Sequence, residues 1–377
     1  MNRAIGVIRV LERAGYAAFM VGGAVRDFLL GKTPHDIDVA TSAAPDQVKA
    51  LFKRTVDTGI EHGTVLVLLD GEGIEVTTFR TEGGYSDNRR PDSVEFVQSI
   101  EEDLKRRDFT INAMAMDENL NIIDPYGGRD DLANGLIRAV GEPAERFGED
   151  ALRMLRAVRF AGQLNFGIGA TTLTAIRTQA PSISQIAVER LKNEVDKIMS
   201  SAHIERSMAY LQESGLSEFL PSGELFIADW SAFRKSAEPV NGWVYMLYKQ
   251  QRDFEDIRIY RFSNDDKYFI KGTLEAARTP QWDSWTLYKF TEQQLLLAAE
   301  LKELDLDPAA AKNRLPIASK ADMAVNGLDL ISWSGAKRGP WLKKWLDKIE
   351  RELVFGRLEN DKNIIKEWFM DEYHSHE

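Results

Sequence analysis

Apolar residues between Asn2 and Ala14 recur at helical spacing, which predicts an amphipathic helix at the start of the chain. Ala18 to Val21 is a short apolar run of strand type, and Val25 to Leu30 returns to a helical pattern. Gly22 and Gly23 stand between these two elements and punctuate them. Further on, Thr64 to Leu69, the turn residues Asp70 to Gly73 and the run Ile74 to Phe79 spell strand, turn, strand, a β-hairpin signal. Glu75 therefore falls on a strand.

The texture changes after Gly141. Strand patterns disappear, and helical spacing carries Ala151–Leu164, Leu173–Gln179, Val188–Met199 and Ser207–Ser214. Pro181, Gly215, Pro221 and Gly242 punctuate the helical connections. From about Leu225 to Asn313 the chain is rich in Trp, Tyr and charge, and helical periodicity is weak there. The pattern as a whole is that of an α+β segment followed by an all-helical remainder.

With 377 residues the chain is long enough for two or more domains, and 44% hydrophobic with 28% charged residues is ordinary for a globular protein. No run approaches the ~18 apolar residues of a membrane span, and the N-terminus lacks the layout of a signal peptide, so a cytoplasmic protein is expected. The absence of cysteine excludes disulfides, thiolate nucleophiles and Cys-based zinc sites. Five histidines offer no metal-ligand spacing, and His374 and His376, in a polar C-terminal end, read as disordered rather than as ligands. A net charge of −11 argues against a generic nucleic-acid binder, but basic residues gather at Lys105–Arg107, Arg153–Arg159 and Lys337–Lys348, which confines any RNA contact to patches.

The most informative stretch is Val21-Gly-Gly-Ala-Val-Arg-Asp27, followed by Asp36-Ile-Asp38. A Gly-Gly turn that opens a helix offers free N–H groups to a triphosphate. On a strand, Asp36 and Asp38 would point to one side and Ile37 to the core, and such carboxylate pairs hold magnesium, with substrate phosphates completing the shell. Each feature alone is usually a plain turn or a solvated strand edge; together, in this order, they point to nucleotidyl transfer assisted by two metal ions. The combination resembles the nucleotidyltransferase superfamily that includes DNA polymerase β, and in detail the tRNA nucleotidyltransferase and bacterial poly(A) polymerase branch.

Five further stretches carry that resemblance. Tyr85-x-Asp87-x-Arg89-Arg90-Pro91 is similar to the flexible loop of class II CCA-adding enzymes and looks full length, whereas relatives that stop after two cytidines have a shortened loop. Asp103-Leu-Lys-Arg-Arg-Asp-Phe-Thr-Ile-Asn112 contains the family's R-R-D-F-T-x-N motif, with Arg107 suited to clamp a phosphate or ribose. Asp124-Pro-Tyr-Gly-Gly128 matches its D-P-x-G-G segment, open to reading as a hinge or as a turn. Glu149-Asp-Ala-Leu-Arg153 matches the E-D-x-x-R motif by which the family selects the incoming base without a nucleic-acid template. Asp150 and Arg153, at i and i+3, would share one helical face, with Arg156 and Arg159 continuing the ridge and Leu152, Leu155 and Val158 buried behind it. Without the resemblance, a surface ion pair of little energetic value is the default for such a pair. Glu189-Arg-Leu-Lys-Asn-Glu194 matches E-R-x-x-x-E, whose expected role is to pair charges along a helix.

The resemblance implies an α+β, polymerase-β-like nucleotidyltransferase head with mixed β-sheet and helices over 1–139, followed by all-helical neck (140–200), body (201–310) and tail (311–377) domains. It implies addition of C, C and A to the 3′ end of tRNA from CTP and ATP. Asp36 and Asp38 are then the catalytic magnesium ligands, with Glu75 and Asp108 both open as a third carboxylate. Gly23, Arg26, Arg107, Asp150, Arg153, Arg156 and Arg159 would contact the nucleotide. In the tail, Trp341 and Trp345 read as core aromatics, and Lys343, Lys344 and Lys348 as candidates for tRNA phosphates. No membrane or obligate protein partner is called for. The alternatives are an A-adding enzyme or poly(A) polymerase, a small-molecule nucleotidyltransferase, and a non-catalytic tRNA-binding scaffold.

Overall fold

A computed structural model of the chain describes residues 1–34, 36–59, 63–69, 71–83 and 93–374. It forms two compact units that meet in sequence at Pro239 and Val240, within the segment expected as the body.

In the first unit, α1 (Asn2–Arg13) buries Ala4, Val7, Ile8 and Leu11, the apolar stripe its spacing predicts. The short strand β1 (Ala18–Val21) runs directly into α2 (Gly23–Leu29), and β2 (Asp38–Thr41) returns antiparallel to β1. After α3 (Pro45–Leu51) and β3 (Thr55–Gly59), strands β4 (Thr64–Leu69) and β5 (Glu72–Thr78) form the expected hairpin. Ile74, Val76 and Thr78 alternate into the core of β5 while Glu75 faces out. Strand β5 also lies parallel to β2, with Asp38 opposite Glu75.

The strands β6 (Arg80–Gly83) and β7 (Ser93–Phe96) pair with each other, and the full-length loop expected at Tyr85–Pro91 lies outside the described residues. Then come α4 (Ile100–Lys105), β8 (Ala115–Met116) and β9 (Ile122–Ile123), which complete a mixed seven-stranded sheet ordered β3-β4-β5-β2-β1-β8-β9 among the described residues. The D-P-x-G-G segment forms a capped turn at the start of α5 (Gly128–Ala133). Asp124 accepts from the Gly128 and Arg129 amides at 2.7 and 2.9 Å, and a Cβ on Gly128 would sit 2.3 Å from the Thr110 carbonyl oxygen.

Beyond β10 (Leu136–Ile137) the first unit is helical: α6 (Pro143–Glu149), α7 (Leu152–Leu164), α8 (Ala170–Gln179), α9 (Val188–Met199) and α10 (Ile204–Glu213). The two-residue strand β11 (Gly167–Ile168), parallel to β10, departs from the expectation that strands cease after Gly141. Two residues are too short to leave a period-2 pattern. Leu152, Leu155 and Val158 are buried where α7 packs on α9 and α10.

The second unit is helical throughout its described residues. It contains α11 (Pro239–Lys249), which begins at the boundary, then α12 (Asn264–Arg278), α13 (Ser284–Lys289), α14 (Glu292–Leu301), α15 (Pro308–Lys312), α16 (Gly327–Ser334), α17 (Pro340–Val354) and α18 (Lys362–His374). The aromatic-rich stretch hides its periodicity because its rings fill a core rather than a stripe: Trp243 lies 4.8 Å from Tyr260 and 5.2 Å from Phe262. Trp345 is buried with Ile349, Leu353 and Phe369, and Trp341 packs against them, as expected. His374 corrects the expectation of a disordered end, since it closes α18 beside the Tyr373 ring; His376 lies outside the described residues. No helix among the described residues is long and apolar enough to cross a membrane.

Candidate active site

Gly22 is the pivot. Its φ of +70° is closed to most L side chains, and a Cβ there would approach Arg107 Nη1 to 2.9 Å, so the chain can turn from β1 into α2 only with glycine at this position. The turn carries Gly23 and Arg26 into the wall of a cavity of about 580 Å³. Asp38 lines it, as do Arg80, Arg106, Arg107, Asp108, Asn112, Asp150, Arg153, Arg156, Arg159 and Phe160. Of the head residues singled out from sequence for the site, Asp36 and Glu75 do not line this space.

Asp36 and Asp38 do not share a strand as expected. Strand β2 starts at Asp38, paired with Val21, the last residue of β1; before it the chain bends, because Gly22 has already turned its neighbour away. Asp36 is exposed on that bend, and Ile37 is only half-buried. The neighbouring carboxylate in the ladder is Glu75. Asp38 is open to solvent at the cavity rim yet densely surrounded by protein. Burial, then the Glu75 carboxylate, raise its carboxyl above the ordinary range; Arg107 pulls it down and Asp36 pushes it up.

Asp108, the other candidate for a third carboxylate, is committed elsewhere. Its Oδ2 accepts from Arg156 Nε at 2.7 Å, and its Oδ1 accepts from the Phe109 amide and Asn112 Nδ2. Burial alone would raise this carboxyl, but Arg156 foremost, then Asn112, Arg153 and the Phe109 amide, hold it below the usual carboxylate range. Among the described residues no three His, Asp or Glu side chains converge tightly enough to enclose a metal ion. A strand-paired Asp38 and Glu75 with Asp36 nearby nonetheless suits a hard cation that takes the rest of its shell from phosphates and water.

The cavity is arginine-rich, and most of its guanidiniums are held by a carboxylate or amide of the protein. Arg26 donates to Asn112 Oδ1 at 2.9 Å and pairs with Asp27. Asp103, 1% exposed, accepts from both Arg106 and Arg107. Arg159 Nε lies 2.7 Å from Glu194 Oε2, an ion pair without hydrogen-bond alignment, and its guanidinium stands 4.1 Å from the centre of the Phe160 ring. Arg26 and Arg156 also approach that ring, at 5.4 and 5.9 Å.

The E-D-x-x-R residues depart from the expected single face. Helix α6 ends at Glu149; Asp150 is extended, and its Oδ1 accepts from the Leu152 amide at 3.0 Å at the start of α7. Its Oδ2 accepts from Arg190 at 2.7 Å. Arg153 instead pairs with Glu149 at 2.5 Å and donates to the carbonyls of Arg146 and Arg106. Asp150 and Arg153 are thus not an ion pair with each other; both line the cavity with hydrogen-bonding capacity to spare. The E-R-x-x-x-E residues do pair charges, both within α9, where Lys197 pairs with Glu194, and across to this segment, where Arg190 holds Asp150 and Glu194 holds Arg159. Sequence reasoning missed Asn112, Phe160 and the anchoring role of Asp103. The first closes the R-R-D-F-T-x-N motif and the second follows Arg159, so their positions were on view but their contacts were not.

A mixed sheet with a glycine turn and a carboxylate pair at one edge of an arginine cavity defines a nucleotidyltransferase. The family model described as the poly A polymerase head domain matches residues 18–138, that of the probable RNA- and SrmB-binding site of polymerase A matches 165–225, and that of tRNA nucleotidyltransferase domain 2 matches 238–369. The CCA-adding enzyme of Geobacillus thermodenitrificans is 43% identical, with 98% of this chain and 96% of that protein aligned, and that of Ligilactobacillus salivarius is 42% identical over 97% and 95%. The crystal structure of the Bacillus stearothermophilus CCA-adding enzyme in complex with CTP superposes with a TM-score of 0.90 at 38% identity, covering 100% of this chain and 98% of that one. The chain belongs to the CCA-adding enzyme family.

Proposed function

We propose that this protein is a template-independent RNA nucleotidyltransferase that adds C, C and A to the 3′ end of tRNA from CTP and ATP and releases pyrophosphate. One observation carries this: a single cavity gathers the glycine turn, Asp38, and the arginines of both the head segment and the Asp150–Arg159 segment. Kinship with CCA-adding enzymes over nearly the whole chain supports it.

The reaction joins the tRNA 3′-oxygen to the α-phosphorus while the bond to the β-phosphate breaks. Gly22 and Gly23 leave room for the triphosphate to approach backbone, and Arg26 and Arg107 neutralise it with directed donors. Asp36 and Asp38, with Glu75 rather than Asp108 beside them, would hold two magnesium ions. When bound, such ions supply a more acidic attacking hydroxyl and a neutralised leaving group.

Base choice follows from hydrogen-bond pattern. Cytosine presents N4 amino beside N3, and adenine N6 amino beside N1, so the Asp150 carboxylate accepts from the amino group while Arg153 donates to the ring nitrogen. Arg153 uses three of its N–H groups on Glu149, Arg146 and Arg106, which leaves Nε–H and one Nη2–H for a base. Uracil and guanine offer a carbonyl and an N–H in these places and would leave buried groups unpaired. Arg156 and Arg159, both beside the Phe160 ring, then serve the sugar and base edge.

For tRNA, the exposed Lys343 and Lys344, together with exposed Lys337 and Arg338, form the tail's phosphate-facing patch. Lys348 is withdrawn from it, paired with Glu372 at 2.6 Å and set beside the Trp345 and Trp368 rings. The test is incubation of tRNA transcripts ending before CCA, after C and after CC with CTP, ATP or both. The expected products are C, C and A in order, each from its own nucleotide; A addition alone, or long A tails, would replace this function with an A-adding or polyadenylating one.

A further inference from the structure

Seven arginines line the nucleotide cavity, and most are steadied by a carboxylate or amide of their own. Two of the seven, Arg106 and Arg107, follow one another in sequence. They are adjacent like charges, and they share one carboxylate, Asp103. Its Oδ1 accepts from Arg106 Nε at 3.1 Å and Nη2 at 2.9 Å, and its Oδ2 accepts from Arg107 Nη2 at 3.2 Å. The Oδ1 also accepts from the Arg80 amide at 3.3 Å, where β6 begins. Asp103 is 1% exposed and does not line the cavity, so it has no route to a nucleotide except through these arginines.

The consequences of this anchoring reach both halves of the site. Arg107 Nη1 lies over Gly22, and its buried Nε has no hydrogen-bond partner, so the Asp103 contact is what fixes the rotation of its guanidinium. The Arg106 carbonyl in turn accepts from Arg153 at 3.1 Å, so the same turn of chain supports a base-reading side chain. Burial alone would raise the Asp103 carboxyl, yet Arg106 and then Arg107 hold it below the ordinary range, so it stays charged in place.

We propose that Asp103 is a positioning residue for nucleotide binding, a buried anchor that aims Arg106 and Arg107 together at the triphosphate and sugar. This rests on the cavity being the nucleotide site. Removing the anchor lets two like-charged guanidiniums splay apart, and it weakens CTP and ATP equally because neither contact reads a base.

The test compares Asp103→Asn and the smaller Asp103→Ser with Arg106→Ala/Arg107→Ala, and with the double-arginine variant carrying Asp103→Asn. Equilibrium binding of CTP and ATP, tRNA binding, thermal midpoints and kcat/KM are measured on each. Loss of one charge-assisted anchor should weaken CTP and ATP about tenfold, by the same factor, with tRNA affinity unchanged. In the double-arginine background Asp103→Asn should produce no further weakening. A purely structural residue would instead lower the thermal midpoint and weaken binding by the same factor in both backgrounds, and that additivity overturns the proposal. Normal nucleotide affinity in a folded Asp103 variant overturns it, as does failure of both Asp103 variants to fold. If the unaltered protein itself binds neither CTP nor ATP, the function assigned to the cavity fails first, and the two failures are distinguishable.

Discussion

Asp38 and Glu75 are register partners in the parallel pairing of β2 with β5, so carboxylates from separate parts of the chain stand side by side, with Asp38 in the cavity wall. Asp36 reaches the same cluster from the bend before β2 and acts on Asp38 through its charge. Asp36→Ala or Asp38→Ala should abolish transfer while leaving tRNA affinity nearly intact, because the loss falls on transition-state charge rather than on packing. Glu75→Gln should lower turnover and raise the magnesium concentration needed for half-maximal rate. Turnover against magnesium, alongside tRNA binding, checks all three, and normal incorporation by the Asp38 variant would reject the metal assignment.

Gly22→Ala places a Cβ at positive φ and 2.9 Å from Arg107. The strained backbone should cost about 1–3 kcal/mol in a urea titration. Displacement of Arg107 should raise KM for CTP and ATP together, with their ratio unchanged. A changed ratio would mean that this turn contacts the base.

Asp108 and Arg156 form an ion pair between the head segment and α7, with Asp108 buried and Arg156 retaining 37% side-chain exposure. Asp108→Asn should cost about 2 kcal/mol of stability, less than the ~3–5 kcal/mol of a wholly buried pair because water screens the arginine. The Asp108 carboxyl sits below its unfolded value, so its contribution is fully present above about pH 4 and disappears as the pH falls through the depressed folded value. Denaturation midpoints between about pH 6 and 2 should therefore fall less steeply for Asp108→Asn than for the unaltered protein. Parallel curves would show that the pair carries no pH-dependent stability.

The motifs made much of the cavity's membership legible from sequence, though not Arg80, Asn112 or Phe160, whereas its wiring was not. Spacing alone put Asp36 and Asp38 on one strand, but ladder pairing decides where a strand begins, and β1 stops at Val21 to make the glycine turn. Likewise the helical period placed Asp150 on α7, where a short acidic side chain prefers to cap the helix rather than enter it. The signal for that cap, an acidic residue just ahead of an apolar run, stood in the sequence. By contrast, the Asp103 anchor and the Arg190–Asp150 pair join residues whose proximity no local pattern encodes. The hairpin and α9 were read correctly because each is a local pattern with nothing to overrule it.

We propose that the protein reads the incoming base with Asp150 and Arg153, in a cavity where neither pairs with the other. Base reading is measured by the relative kcat/KM for CTP, ATP, UTP and GTP on a tRNA acceptor, for the unaltered protein, Asp150→Ala and Arg153→Ala. Each lost base contact is worth about 1–3 kcal/mol, so discrimination against UTP and GTP should relax roughly 10-fold to 100-fold in each variant. Arg26 and Arg107 should still hold the triphosphate. Unchanged ratios in both variants would contradict base reading by these side chains and leave them as supports of the α6–α7 junction.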